Sequence, residues 1–242
     1  MDLRRVRRSL RGELPDPPLI GADDARWSVI SSAEQLLQRP VDELVGLLLR
    51  AGTLARGLDL SDVAARCGDT DSRWVQTWPG EHYKLLAALV EDLKPSVAVE
   101  IGTFKGQGTL ALMARSSTTT VVTYDLVAWR DIPGSALRDA DFDSGRVEQR
   151  LGDLGEDDYL AAQLDTLRSA DLIFIDGPKD GAWEQRAVPK ILSALTDRKR
   201  LVVFDDIRLM AMIQLWWDLP YPKLDATSFG HWSGTGLLHT AE

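Results

Sequence analysis

VAVEIGTFKGQGTLAL, residues 97–112, decides the fold. A run that is apolar apart from Glu100 ends at Ile101, a turn containing glycine follows, and from Gln107 the apolar positions take helical spacing. A buried strand that passes through a tight turn into a helix is the repeating unit of an open α/β sheet. Further strands are expected at Thr120–Tyr124, Val147–Leu151, Leu172–Ile175 and Leu201–Phe204. Helices are expected at Glu81–Leu93, Asp157–Arg168, Trp183–Leu195 and Ile207–Trp217. This alternation predicts a doubly wound, mostly parallel sheet with helices on both faces. Two β-like runs, Lys223–Phe229 and Gly234–Thr240, flank a turn at 230–233 and predict a C-terminal antiparallel hairpin.

The first 80 residues read differently, as helices with breaks. Ser31 or Ser32 can cap a helix from near Ala33 whose apolar positions, Leu36 and Leu37 and then Val41, Leu44, Leu47 and Leu48, continue past Pro40. Ser61 can cap a short segment through Ala65. The expected division is therefore an N-terminal arm and helical cap over 1–80 and a Rossmann-like domain over 81–242. The cap is free to cover the sheet, shape an acceptor pocket or form a homodimer contact.

Composition narrows the classes. The chain has 242 residues, 44% hydrophobic and 27% charged, which suits a globular domain. No apolar run approaches the roughly 20 residues that span a bilayer, and no apolar segment follows Arg4, Arg5, Arg7, Arg8 and Arg11. A cytoplasmic protein without membrane partners is expected. Cys67 is the single cysteine, so thiols supply neither a disulfide nor a zinc site. The net charge of -9 repels phosphate backbones, which argues against nucleic acid and for a small-molecule partner. Only the arginine-rich arm, ahead of Pro15, Pro17 and Pro18, departs from this, as a solvated tail or an oligomer contact.

Candidate chemistry lies at the strand ends. Leu172–Asp176 (LIFID) and Leu201–Asp206 (LVVFDD) are buried runs that end in acid. Consecutive parallel strands deliver their C-terminal residues to one crevice, so Asp176, Asp205 and Asp206 are expected to converge on a cation or a polar substrate. The turn Glu100–Gly108 (EIGTFKGQG) is the candidate cofactor contact, through Glu100, Gly102, Thr103, Phe104, Gly106 and Gly108. Its glycine spacing differs from the dinucleotide fingerprint, and Phe104 stands where a pyrophosphate needs bare backbone, so NAD is disfavoured. Asp125 closes the next strand at a distance suited to ribose hydroxyls, and Asp153, in RLGDL, closes the one after it, where an adenine amino group would lie.

VAVEIGTFKGQGTLAL resembles the first motif of class I S-adenosylmethionine-dependent methyltransferases, and closely the EIGTFTGYS variant of cation-dependent O-methyltransferases of the catechol and caffeoyl-coenzyme A type. The resemblance runs from about Glu81 to the C-terminus. It implies that Gly102, Phe104 and Gly108 line the methionine and ribose part of the cofactor, that Asp125 holds the ribose, and that Gly152 and Asp153 flank the adenine. FIDGPKDG at 174–181 resembles the family's Asp-x-x-Lys-Asp element, and FDD at 204–206 its Asp-Asn pair. By the same resemblance Asp176, Asp205 and Asp206 are ligands of Mg2+ or a similar divalent cation, with Asp176 also bordering the cofactor, and Lys179 is the base. Asp206 stands where the family has Asn, and the chain contains no Asn at all; Pro178 and Gly181 alter the loop between.

The physical chemistry is consistent with this. A hard dication takes carboxylate oxygens, and a free phenol of pKa about 10 needs a Lewis acid or a base before it attacks a methyl group. Two oxygens on one cation would fix the acceptor, which favours a catechol, a sugar or another vicinal-oxygen compound. His231, in SFGHWSG, is the alternative base of a metal-independent methyltransferase, since imidazole titrates near neutrality. Trp129, Trp183 and Trp232 are candidate walls of an aromatic acceptor site. A cofactor-binding regulator without catalysis is the reading from a different class.

Overall fold

The structure, a computed structural model, describes residues 41–241. The arginine arm and the helix start expected near Ala33 lie outside the described residues. Four helices come first: α1 (Asp42–Gly57), α2 (Ser61–Ala64), α3 (Asp69–Gln76) and α4 (Tyr83–Leu93). The alternating part follows as β1 (Val97–Ile101), α5 (Gln107–Ala114), β2 (Thr120–Asp125), α6 (Asp139–Asp143), β3 (Val147–Leu151), α7 (Asp157–Ser169), β4 (Leu172–Ile175), α8 (Ala182–Ser193) and β5 (Leu201–Asp205). It closes with α9 (Met210–Asp218), β6 (Lys223–Asp225) and β7 (Thr235–His239).

One seven-stranded sheet results, in the order β3-β2-β1-β4-β5-β7-β6. β1 to β5 pair in parallel, and β7 pairs antiparallel with both β5 and β6. The strand order reverses between β1 and β4, where an open α/β sheet leaves a crevice at its C-terminal edge. Successive residues of each strand face opposite sides, so the core divides in two. On one side Ala98, Val121, Leu172, Phe174 and Val203 pack against Leu44 and Leu48 of α1, Leu85 and Leu89 of α4, and Leu110 of α5. On the other, Val99, Ile101, Val122, Ile173, Ile175 and Val202 pack against Leu160 and Leu167 of α7, Val188 and Ile191 of α8, and Trp216 of α9. Residues 41–80 thus share one core with the helix and strands that follow them. Among the described residues no helix is long and apolar enough to cross a membrane.

Three local expectations are refined. Ser61 does not cap α2 but begins it; the Asp59 carboxylate accepts the Ser61 N–H at 2.8 Å and its hydroxyl at 3.0 Å. The helix after β5 starts at Met210 rather than Ile207, because the chain first turns at Asp206, whose carbonyl accepts the Leu209 N–H. The terminal hairpin is antiparallel, but its second strand lies inside the sheet and its first forms the edge. β7 is buried along its length, whereas Lys223 and Asp225 give β6 the charged, short character of an edge strand.

Gly52 of α1 carries the ring of Phe229, which precedes the His231 turn: a Cβ there would lie 2.5 Å from the ring's Cδ1. Gly52→Ala gains about 1 kcal/mol of helix propensity, while overpacking costs about 1–3 kcal/mol. Urea denaturation is therefore expected to show net destabilisation, and a stabilised variant would contradict this packing.

Candidate active site

A cavity of about 330 Å³ opens at the C-terminal ends of β1, β2 and β4. Gly102, Phe104, Asp125, Gly152, Asp153 and Asp176 line it, all sequence candidates, together with Leu126, Leu154, Pro178 and Trp183. The Asp125 carboxylate is held rigidly, accepting the Phe104 N–H at 2.8 Å on one oxygen and the Val127 N–H at 3.0 Å on the other. Each oxygen keeps a further lone pair, the donor-free pattern a ribose diol needs. Phe104 pays for its place with a left-handed backbone, φ 42°, and its ring is exposed at the rim. Asp153 is already engaged. One of its oxygens accepts the Trp183 indole N–H and the Gly155 N–H, both at 2.7 Å, and the other accepts Arg186 at 2.8 Å. Its main contribution is to fix the Trp183 indole as a cavity wall.

Glu100, Thr103, Gly106 and Gly108 do not line this cavity. Glu100 is buried beneath the turn, where Thr109 donates to its carboxyl and Thr123 does so at 2.7 Å. Gly108 makes room for it: a Cβ there would come within 2.2 Å of the Glu100 carboxyl oxygen. Thr103 is buried and shares a hydrogen bond with Thr123 at 2.7 Å, and Gly106, at φ 82°, packs under Leu137 at the start of α5. These four residues shape the turn from outside the cavity lining. Burial pushes the Glu100 carboxyl up to about 8, and the two threonine hydroxyls offset only part of that.

Next to the cavity the acids do converge, around Lys179. Its Nζ lies 2.5 Å from Asp176, 3.5 Å from Asp206 and 3.8 Å from Asp205. Two histidines complete the cluster. His231 Nδ1 lies 3.0 Å from Asp205 and 3.3 Å from Asp206, and its Nε2 lies 3.3 Å from Glu81. Ser233 donates to Asp206 and contacts His231 Nδ1 at 2.9 Å. His82 is buried against Tyr83 and Phe174, with Nδ1 3.2 Å from Asp205, yet neither ring nitrogen makes a hydrogen bond. A buried polar atom left without a partner costs about 1–3 kcal/mol.

Local folding explains the convergence. Lys179 and Asp206 both adopt left-handed backbone, φ 61° and 62°, which turns their side chains back over the strand ends. Buried Glu184 of α8 holds the Lys179 loop, accepting the Lys179 N–H at 2.7 Å and the Gly181 N–H at 3.0 Å. Asp180 caps α8 through the N–H groups of Ala182 and Trp183. The segment before α4 is tied to the His231 turn by the Gly80 N–H to the Gly230 carbonyl and the Trp232 N–H to the Gly80 carbonyl, each 3.0 Å. That tie carries Glu81 and His82 to the acids.

Charge balance follows. Burial works against the ionised Asp205, but His82, His231 and Lys179 outweigh it and hold its pKa below the usual carboxylate range. Burial likewise opposes the His231 cation, yet Asp205 and Asp206 raise its pKa to about 10. The carboxylates also overcome burial at Lys179 and raise its pKa. As potential ligands, Asp176 groups with His82 and Asp205, and Asp206 with Asp205 and His231, each set within 4.8 Å. The acids were legible as strand ends; His82, Glu81 and Ser233 were not, although the chain has only three histidines and two meet here. Trp183 lines the cavity, Trp232 is exposed beside His231, and Trp129 instead stacks on Phe142.

Residues 99–207 match the family model described as a methyltransferase domain. The match takes in the turn after β1 and the acidic ends of β2, β4 and β5. No curated protein sequence matches the chain. Among solved structures, a protein described as a caffeoyl-CoA O-methyltransferase from Staphylococcus aureus is similar, with TM-score 0.53 at 14% identity over 81% of this chain and 99% of that one. A methyltransferase from Geobacter sulfurreducens gives 0.49 at 20% identity, covering 82% and 98%. An O-methyltransferase from Bacillus cereus in complex with SAH gives 0.43 at 20%, covering 85% and 94%. The first likeness shows a shared fold.

Glu100 supplies a test of the turn. Its carboxyl stays neutral when folded up to about pH 8 but ionises near its ordinary 4.5 when unfolded, so its contribution is complete below that value and is lost as pH rises through 8. Melting curves of Glu100→Gln and the wild type should therefore diverge in favour of the variant between those limits. Parallel pH profiles would show that Glu100 is not held neutral.

Proposed function

We propose that the chain transfers the methyl group of S-adenosylmethionine to a hydroxyl of a small molecule with adjacent oxygens, assisted by a divalent cation held by Asp176, Asp205 and Asp206. One observation carries this reading: Asp176 both lines the cavity and belongs to the acid cluster, so a donor site and an acceptor site are contiguous. The cavity volume is within the roughly 300–1,000 Å³ typical of cofactor sites, and Asp125 offers the acceptors a ribose requires. The donor set suits a dication, and the buried His82 ring beside Asp205 makes no hydrogen bond at either nitrogen. A bound cation would act as the Lewis acid that lowers the pKa of an acceptor hydroxyl.

The side chains divide the remaining work. Asp125 orients the cofactor, Trp183 and Phe104 border its flanks, and exposed Trp232 beside His231 offers an apolar surface to an aromatic acceptor. Lys179 keeps its proton while three carboxylates surround it; it serves as a base only when their charge is matched by another cation. A metal-independent version with His231 as base has its place in the cluster in its favour, but the same carboxylates hold that imidazole protonated to about pH 10. The cation-assisted version is therefore the better supported one.

Mass spectrometry of a catechol acceptor incubated with the full chain and S-adenosylmethionine tests the reading. Methylation at oxygen is expected, falling at least roughly 100-fold on chelation or in Asp205→Ala. Activity that survives chelation and is lost in His231→Ala favours the metal-independent version, and cofactor binding with no transfer to any acceptor overturns both. Asp125→Ala removes two charge-assisted acceptors and should weaken cofactor binding by roughly 10- to 100-fold in calorimetry. Unchanged affinity would place the ribose elsewhere.

A further inference from the structure

His82 is the histidine whose ring nitrogens make no hydrogen bond. Both nitrogens of His231 are taken, Nδ1 by Asp205, Asp206 and Ser233 and Nε2 by Glu81. The His82 ring is only 4% exposed, is fixed between Tyr83 at 4.3 Å and Phe174 at 5.2 Å between ring centroids, and has no hydrogen bond at either nitrogen. Its Nδ1 points to Asp205 Oδ1 at 3.2 Å, and it shares a group of ligand atoms within 4.8 Å with Asp176 and Asp205. A buried imidazole fixed by packing, with one nitrogen at ion-pair distance from a carboxylate and neither nitrogen hydrogen-bonded, has the properties of a metal ligand awaiting its ion.

We propose that His82 is a cation ligand, so that with Asp176 and Asp205 it forms a mixed nitrogen and oxygen site selective for a first-row transition-metal dication over Mg2+. The inference rests on the reading that the acid cluster holds a divalent cation, and it changes the class of that cation. Carboxylate and water oxygens suit Mg2+, whereas imidazole nitrogen suits iron, nickel, copper and zinc, and affinity for divalent first-row ions rises from manganese to copper. The neutral imidazole donates its lone pair to the ion, and any proton it carried leaves to solvent. The Gly80 backbone tie and the packing of the imidazole on Phe174 bring His82 to the site, so the nitrogen donor comes from outside the stretch at 174–206 that supplies the acids.

The test uses the full chain, stripped of metal with a chelator and labelled with 15N-histidine. Co2+ and Mg2+ are titrated separately by calorimetry, and the Mn2+-loaded protein is examined by pulsed electron paramagnetic resonance. Co2+ is expected to bind at least roughly 100-fold more tightly than Mg2+, with histidine nitrogen coupling in the Mn2+ spectrum. His82→Gln should lose that coupling and weaken Co2+ by roughly 10- to 100-fold, while His231→Gln keeps the coupling. If His82→Gln fails to fold by circular dichroism, coupling that persists in His231→Gln and in His239→Gln assigns the nitrogen to His82. Cation binding without nitrogen coupling, or equal affinity for Co2+ and Mg2+, overturns the inference and leaves cation-assisted transfer standing. Failure to bind either ion, with hydroxyl methylation intact under chelation, overturns it and also removes the cation from the proposed reaction.

Discussion

Three carboxylates cannot share a half-buried crevice unless positive charge is placed among them, and the rest of this structure answers that constraint. Asp176, Asp205 and Asp206 are brought together by the parallel pairing of β4 and β5, which ends both strands at one level. Two like charges at such distances raise each other's pKa and oppose folding. Lys179 lies within 4 Å of all three, and His231 lies within 3.3 Å of two. The chain accepts left-handed backbone at Lys179 and Asp206, neither of which is glycine, to hold this arrangement.

Several features that look unrelated serve the same end. Insertion of β7 between β5 and β6 places the turn with His231 and Ser233 over the end of β5. Glu184, buried in α8, has no role in a helix core except to fix the Lys179 loop through two backbone N–H groups. The Gly80 tie brings the start of α4 against that turn, and Trp78 adds a hydrogen bond from its indole to the Phe229 carbonyl at 2.8 Å. Elements far apart in sequence are thus fastened near the charges they balance, where the low local dielectric makes each contact count most.

What was legible in the sequence was what is local. Strand periodicity located β1 to β5, and the glycine turn after β1 marked the cofactor crevice, because both follow from residues within a few positions of each other. Acidic strand ends were legible for the same reason. His82 was not, since nothing in EHYK distinguishes a ligand from a helix-start residue until β7 and the Gly80 tie have formed. The burial of Glu100 was not legible for a different reason: the motif fixes its identity, but its place in the core depends on Thr109 and Thr123 beneath the turn. Asp153 shows the limit of reading strand ends one at a time, because its partners Trp183 and Arg186 come from α8.

Asp176 joins the two halves of the site. One side of it borders the cavity that Asp125 and Trp183 define, and the other pairs with Lys179 at 2.5 Å. A positively charged donor entering the cavity lowers the energy of the ionised Asp176 and competes with Lys179 for it, which loosens the hold of the cluster on that lysine. Under the proposed function, a cation among Asp176, Asp205 and His82 would act on the same carboxylate from the opposite side. Two ligands that draw on one charged group alter each other's affinity by equal factors, so the proposal entails linkage between the donor cavity and the acid cluster through this residue.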